Sequence, residues 1–214
     1  MKHSTVLFDF DGTLLYTIPD LADAVNFGLA KYGYPTHDYD TVQGYVGNGV
    51  RLLVSRALPG GEENPDFEAV FAAFSEYYDV HCVDKTAPYD GIMEALAALK
   101  AAGVKMAIVT NKYQAAAEEL RLRFFGEYIP IIEGDIAGRE RKPDPAPVMA
   151  AIKALGSEKA DCVYVGDTEV DMQTAANSGI DFVAVAWGYR TMEQLRALGI
   201  EKIAQKPGAL MELA

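Results

Sequence analysis

Phe8-Asp9-Phe10-Asp11-Gly12-Thr13-Leu14 decides how this chain is read. It ends an apolar run from Thr5 to Phe10 whose composition predicts a buried strand, with two carboxylates one residue apart at its end. In extended backbone, residues i and i+2 point to the same side, so Asp9 and Asp11 are expected to face one pocket. Gly12 lets the backbone turn sharply. Two like charges so close repel unless a cation or a shared proton relieves them, which implies a divalent metal.

Working outward, short apolar runs alternate with longer helical patterns, as in a parallel sheet with crossover helices. Lys105 to Thr110, Tyr128 to Glu133, Cys162 to Gly166 and Phe182 to Ala186 read as further strands. Gly91 to Ala102, Tyr113 to Phe124, Pro145 to Leu155 and Glu169 to Ser178 carry helical spacing and end near glycines. The expectation is an open α/β sheet. From Ile18 to Thr86 only helical patterns occur, at Asp20 to Tyr32, Val50 to Leu58 and Asp66 to Cys82. That stretch is too long for a loop and has its own apolar faces, so an inserted helical subdomain is expected. Insertion after the first strand would put it over the strands' carboxyl ends, where open α/β sheets bind ligands.

Three other segments fall on that edge. Val109-Thr110-Asn111-Lys112 offers a hydroxyl and backbone amides suited to phosphate oxygens. Arg141-Lys142-Pro143-Asp144-Pro145 sets a lysine before a helix, and Gly166-Asp167-Thr168-Glu169-Val170-Asp171 ends a strand with carboxylates a helical turn apart.

In order and spacing these four motifs resemble those of the haloacid dehalogenase-like phosphatases: D-x-D-G-T at Asp9 to Thr13, Thr110 after a strand, Lys142 in K-P-D-P, and G-D-x-x-x-D at Gly166 to Asp171. The resemblance spans the whole chain. It implies a Rossmann-like open parallel sheet, residues 1–17 and 87–214, with a helical cap at 18–86. It also implies roles that the chemistry of the residues supports. Asp9 is the nucleophile, forming an aspartyl phosphate, and Asp11 the general acid and base. Phe10, Thr110, Asn111 and Lys142 surround the phosphoryl group, with Thr110 and Lys142 stabilising the transferring charge. Mg2+ is the implied cofactor, held by Asp9, the Asp11 main-chain carbonyl and Asp167, with Asp171 helping directly or through water.

Asp11 argues against the dehalogenase branch, since displacement at carbon needs no acid at that position. The segment from Gly44 to Leu58 resembles the cap of phosphoglycolate phosphatases: Gly47 and Gly49 would let a loop approach closely, with Asn48 and a helix N-terminus offered to a second anionic group. Tyr16 departs from the family, many of whose members have aspartate there. The lack of a histidine early in the first cap helix lowers a β-phosphoglucomutase-like reading.

Half of the 214 residues are hydrophobic and 23% charged, so the chain should be globular throughout. A net charge of -12 disfavours nucleic-acid and anionic-membrane surfaces. Cys82 and Cys162 form no C-x-x-C pair, and no stretch is apolar enough to span a membrane. Reduced thiols and the lack of a long apolar leader point to a cytoplasmic protein, monomer or homodimer, acting on a small phosphorylated metabolite. Competing readings are a pyrophosphatase, a nucleotidase or sugar phosphatase of the same superfamily, and a metabolite-binding regulator. A regulator would have no need of an acid-base residue at Asp11.

Overall fold

A computed structural model describes residues 3–213. In chain order the elements are β1 (Thr5–Phe8), β2 (Leu15–Tyr16), α1 (Ile18–Lys31), α2 (Tyr39–Tyr45), α3 (Val50–Ala57), α4 (Phe67–His81), β3 (Ala87–Pro88), α5 (Ile92–Ala101), β4 (Lys105–Tyr113), α6 (Gln114–Phe125), β5 (Ile131–Asp135), α7 (Ala146–Leu155), β6 (Cys162–Gly166), α8 (Glu169–Ser178), β7 (Asp181–Val185), α9 (Met192–Ala197) and β8 (Ile203–Ala204). Two compact units result. One comprises the chain up to Leu15 and from Pro88 onward, the other Tyr16–Ala87.

The first unit is an α/β layer structure whose sheet has the order β5-β4-β1-β6-β7-β8 with every pairing parallel. Thr5 pairs with Lys105 on one side and Cys162 on the other, and Phe8 with Ile108 and Val165. All four residues of β1 are buried, which is why its sequence runs continuously apolar instead of alternating. From β1 the chain builds outward through β4 and β5, then returns to the opposite flank through β6, β7 and β8. This switch sets the carboxyl ends of β4, β1 and β6 side by side, the position where such sheets take ligands. Beneath them Leu7, Ala107, Val109, Val148, Ile152 and Tyr164 share one core.

Several elements differ from the sequence expectation. β1 stops two residues early, because the chain turns at Asp9. β4 continues to Tyr113, with its pairing to β5 shifted between Val109 and Tyr113. β5 begins at Ile131, just after Pro130, whose nitrogen has no hydrogen to donate to a ladder. β8 and α9 were not expected, and β8 has only two residues, too few for a periodic signal.

The second unit is helical, with Leu21, Val25, Leu29, Leu53, Phe67 and Phe74 in its core. Phe74 and Tyr78 are buried there, while Tyr77 stacks on Phe27 at 4.7 Å. The sequence reading missed α2, whose one buried residue, Val42, leaves no apolar period to detect. Its start is fixed by Asp38, whose side chain accepts the amide of Thr41 at 2.8 Å. Within this unit Asp20 is buried in the first turn of α1 and accepts the backbone amides of Lys85 and Thr86 at 3.0 and 2.8 Å. Among the described residues no helix is long and apolar enough to cross a membrane.

Candidate active site

β1 releases the chain at Asp9, whose amide still donates to the Val165 carbonyl at 2.8 Å. The next amide, of Phe10, folds back onto Asp9 Oδ1 at 2.7 Å, and Gly12 takes a φ of 84° that a side chain would resist. Regular strand pairing therefore ends at Phe8, before Asp9 and Asp11. Their carboxylates have different partners. Asp9 joins Asp167 and Asp171 in a buried group whose ligand atoms lie within 4.8 Å of one another. Asp11 instead accepts from Lys112 Nζ at 3.1 and 3.4 Å.

Asp9 follows β1, and the other two members of the acidic group both follow β6. Asp167, directly after β6, accepts the Thr13 hydroxyl at 3.1 Å and the Tyr189 amide at 2.8 Å. Asp171, in the first turn of α8, accepts the Thr168 amide and hydroxyl through Oδ2 at 3.0 and 2.7 Å, capping the helix. Its Oδ1 accepts from Lys142 Nζ at 2.8 Å, and the same ammonium lies 2.8 Å from Asp9 Oδ1. Tyr164 completes the environment of Lys142: its hydroxyl accepts from Nζ at 3.1 Å and donates to the Val109 carbonyl at 2.7 Å.

Burial and the neighbouring charge of Asp171 push the Asp9 carboxyl well above its ordinary range, with Lys142 opposing. Asp167 is pushed up to about 7, first by burial and then by Asp171. Burial works against the charge of Lys142, but Asp171 and Asp9 outweigh it and hold the ammonium well above an ordinary lysine.

Thr110 and Asn111 are buried in the irregular end of β4. The Asn111 amide donates to the Lys142 carbonyl at 3.1 Å, tying the second motif to the third. Phe10 is fully buried, its ring 6.0 Å from that of Phe125, so the side chain serves the core. The sequence reading quoted Lys112 but gave it no role, and it gave none to Gly188 or Tyr189 in the Trp187-Gly188-Tyr189 loop that follows the last long strand. Trp187 Nε1 donates to the Thr13 carbonyl at 3.0 Å, and a side chain at Gly188 would place its Cβ 2.2 Å from Asp167 Cβ. Only glycine lets this loop lie against Asp167. No period or charge pattern marks such a residue in the sequence.

In the helical unit, Gly47 and Gly49 take φ values of 128° and 87°, and Gly49 directly precedes α3. Between them Asn48 Oδ1 accepts from Arg56 Nη2 at 3.0 Å, while Arg56 Nη1 donates to the Tyr45 carbonyl at 2.7 Å. The loop thus carries a guanidinium that the sequence reading passed over.

Residues 6–185 match the sequence profile of the haloacid dehalogenase-like hydrolases. The chain belongs to this family. It is 35% identical over 204 residues to the phosphoglycolate phosphatase of Thiobacillus denitrificans, covering 92% of this chain and 89% of that one. With the N-acetylmuramic acid 6-phosphate phosphatase of Pseudomonas aeruginosa it shares 33% over 215 residues, covering 100% of this chain and 95% of the other. A crystal structure from Lactobacillus delbrueckii subsp. bulgaricus, provisionally named a phosphoglycolate phosphatase, superposes with a TM-score of 0.94 at 32% identity, covering 99% and 98% of the two chains.

Haloacid dehalogenase-like hydrolases imply a divalent cation, and the residues present suit one. Three buried carboxylates face one ammonium, which leaves two uncompensated negative charges in a dry site. Oxygen ligands of this kind are what Mg2+ takes. Burial first, and then the neighbouring charge of Asp171, displace Asp9 and Asp167 upward, and a bound cation would favour their ionised forms.

Proposed function

We propose that this haloacid dehalogenase-like hydrolase is a phosphatase for small phosphomonoesters that also carry a carboxylate, with phosphoglycolate the foremost candidate. The observation that carries the reading is the convergence of Asp9, Asp167 and Asp171 on one point, with Lys142 Nζ 2.8 Å from both Asp9 and Asp171. Asp9 is the nucleophile: its carboxylate oxygen bonds to phosphorus as the bond to the leaving oxygen breaks, and Asp11 gives that oxygen its proton. Asp11 then takes a proton from water, whose oxygen attacks phosphorus and releases inorganic phosphate from Asp9. Lys142, the Thr110 hydroxyl and the backbone amides around Asn111 meet the charge on the equatorial oxygens. Asp9, the Asp11 main-chain carbonyl and Asp167 would hold Mg2+, with Asp171 beside them directly or through water. A bound cation supplies neutralising charge between the nucleophile and the anionic phosphate.

Two of the relatives act, by name, on phosphomonoesters that are also carboxylic acids. A second anionic group needs its own cationic or hydrogen-bonding partner in a chain of net charge -12. The Gly47-Asn48-Gly49 loop with Arg56 is the part of the helical unit we assign to that recognition. The reading places the enzyme in the cytoplasm, as a monomer or homodimer. Its test is a screen of purified protein with magnesium against phosphoglycolate, N-acetylmuramic acid 6-phosphate, hexose phosphates, pyrophosphate and nucleotides. The highest kcat/KM should fall on a carboxylated monoester. A preference for pyrophosphate, a nucleotide or a neutral sugar phosphate would overturn the substrate class, and isomerisation of a hexose phosphate would indicate a mutase.

A further inference from the structure

Among the described residues two lysines are buried, and each holds one aspartate of the loop after β1. Lys142 lies against Asp9, and Lys112 against Asp11, with Nζ 3.1 Å from Oδ1 and 3.4 Å from Oδ2. The second pair does nothing in the steps given above. Yet it answers a question they raise. Asp9 and Asp11 are two residues apart and chemically alike, so either carboxylate would ligate a hard cation. What keeps them apart is not strand geometry, since β1 has ended before both.

Lys112 is well placed to do it. It lies where the pairing of β4 with β5 shifts register, and its backbone is braced from the β5 side. Gln114 Oε1 accepts the Gly134 amide at 2.6 Å, and a Cβ at Gly134 would fall 2.8 Å from the Lys112 carbonyl oxygen, so the two backbones are in close contact. Only 5% of Lys112 is exposed. A buried ammonium on a braced strand is a fixed point charge, and its pull on Asp11 is weakly screened.

We propose that Lys112 is a positioning residue, holding the Asp11 carboxylate out of the Asp9–Asp167–Asp171 group so that Asp9 is free to attack and Asp11 to move protons. This rests on the reading of Asp11 as the acid and base. Removing the ammonium lets Asp11 swing toward the three carboxylates and the cation they hold, and a proton donor displaced by about 1 Å loses on the order of 10²-fold in rate.

The test compares Lys112→Met, Lys112→Gln and Lys112→Arg with Asp11→Asn and with the Lys112→Met/Asp11→Asn double variant, melting curves establishing that each is folded. Should Lys112→Met not fold, Lys112→Gln replaces it. Phosphoglycolate needs its leaving oxygen protonated, whereas 2,4-dinitrophenyl phosphate does not. Lys112→Met should lower kcat for phosphoglycolate about 10²-fold with little change in KM. It should retain a wild-type burst of dinitrophenolate followed by a slow steady state, because only hydrolysis of the intermediate then needs Asp11. Lys112→Arg should recover part of the loss, and the double variant should be no slower than Asp11→Asn. Magnesium titrated calorimetrically into Lys112→Met without substrate should bind more tightly than to the wild type, as Asp11 joins the site. An equal loss in burst and steady state, additive losses in the double variant, or unchanged magnesium affinity would overturn the proposal. Impaired Asp11→Asn beside normal Lys112→Met would overturn it while leaving the acid-base reading intact; fully active Asp11→Asn would overturn both.

Discussion

Lys142 Nζ sits 2.8 Å from Asp9 Oδ1 with almost no solvent around either group. An ammonium at this distance compensates the carboxylate, and in the proposed mechanism it meets the phosphoryl oxygens when Asp9 attacks. Lys142→Met should therefore do more than slow turnover. It leaves Asp9 and Asp171 facing each other without a counter-charge, and breaking a buried pair by removing one partner costs about 3–5 kcal/mol. Urea denaturation at neutral pH measures this, and stability equal to the wild type would contradict the arrangement.

The acidic group also sets a pH dependence. Asp9 and Asp167 have folded-state pKa values above those of the unfolded chain, Asp167 at about 7. The folded protein thus binds their protons more tightly, so the penalty is absent below an unfolded carboxylate pKa of about 3.9 and grows as pH rises to about 7. In chelator the melting temperature should fall across that window, and magnesium should restore it more at pH 8 than at pH 5. Asp167→Asn should flatten the fall and be more stable than the wild type at pH 8 in chelator, since its oxygen can still accept the Tyr189 amide. An unchanged slope in that variant would contradict the assignment.

Gly188→Ala tests the loop that closes over Asp167. Its Cβ would lie 2.2 Å from Asp167 Cβ and 2.6 Å from the Gly12 carbonyl oxygen, with backbone on one side and a hydrogen-bonded carboxylate on the other. Overpacking of this kind costs about 1–3 kcal/mol and should displace Asp167. Weakened magnesium binding, read calorimetrically, is the expected result, and wild-type affinity would contradict it.

In the helical unit, Asp20→Ala removes the acceptor for the Lys85 and Thr86 amides. A buried amide left unpaired, as that of Thr86 would be, costs about 1–3 kcal/mol, so hydrogen exchange at Lys85 and Thr86 should accelerate. Unchanged exchange there would mean that these amides find another partner.

The sheet and the four motifs were legible because their signals are local: fully buried strands read as unbroken apolar runs, and Asp9, Lys142, Asp167 and Asp171 stand at the strand and helix ends those runs define. What escaped the sequence depends on distant parts meeting. Lys112 acquires meaning only beside Asp11, and Gly188 only against Asp167. α2 and β8 were missed for another reason, since a helix with one buried side chain and a strand of two residues carry no period. The first strand was read two residues too long because the turn at Asp9, closed by its own side chain on the Phe10 amide, follows an unbroken apolar run and leaves no mark in composition.

The central claim is that Asp9 carries the phosphoryl group. Rapid acid quench of the enzyme turning over phosphoglycolate with magnesium, followed by proteolysis and mass spectrometry, should place a phosphoryl group on the peptide containing Asp9. Asp11→Asn, in which hydrolysis of the intermediate is slowed, should raise its occupancy. Active enzyme that shows no such adduct, or one on a different residue, would contradict the account.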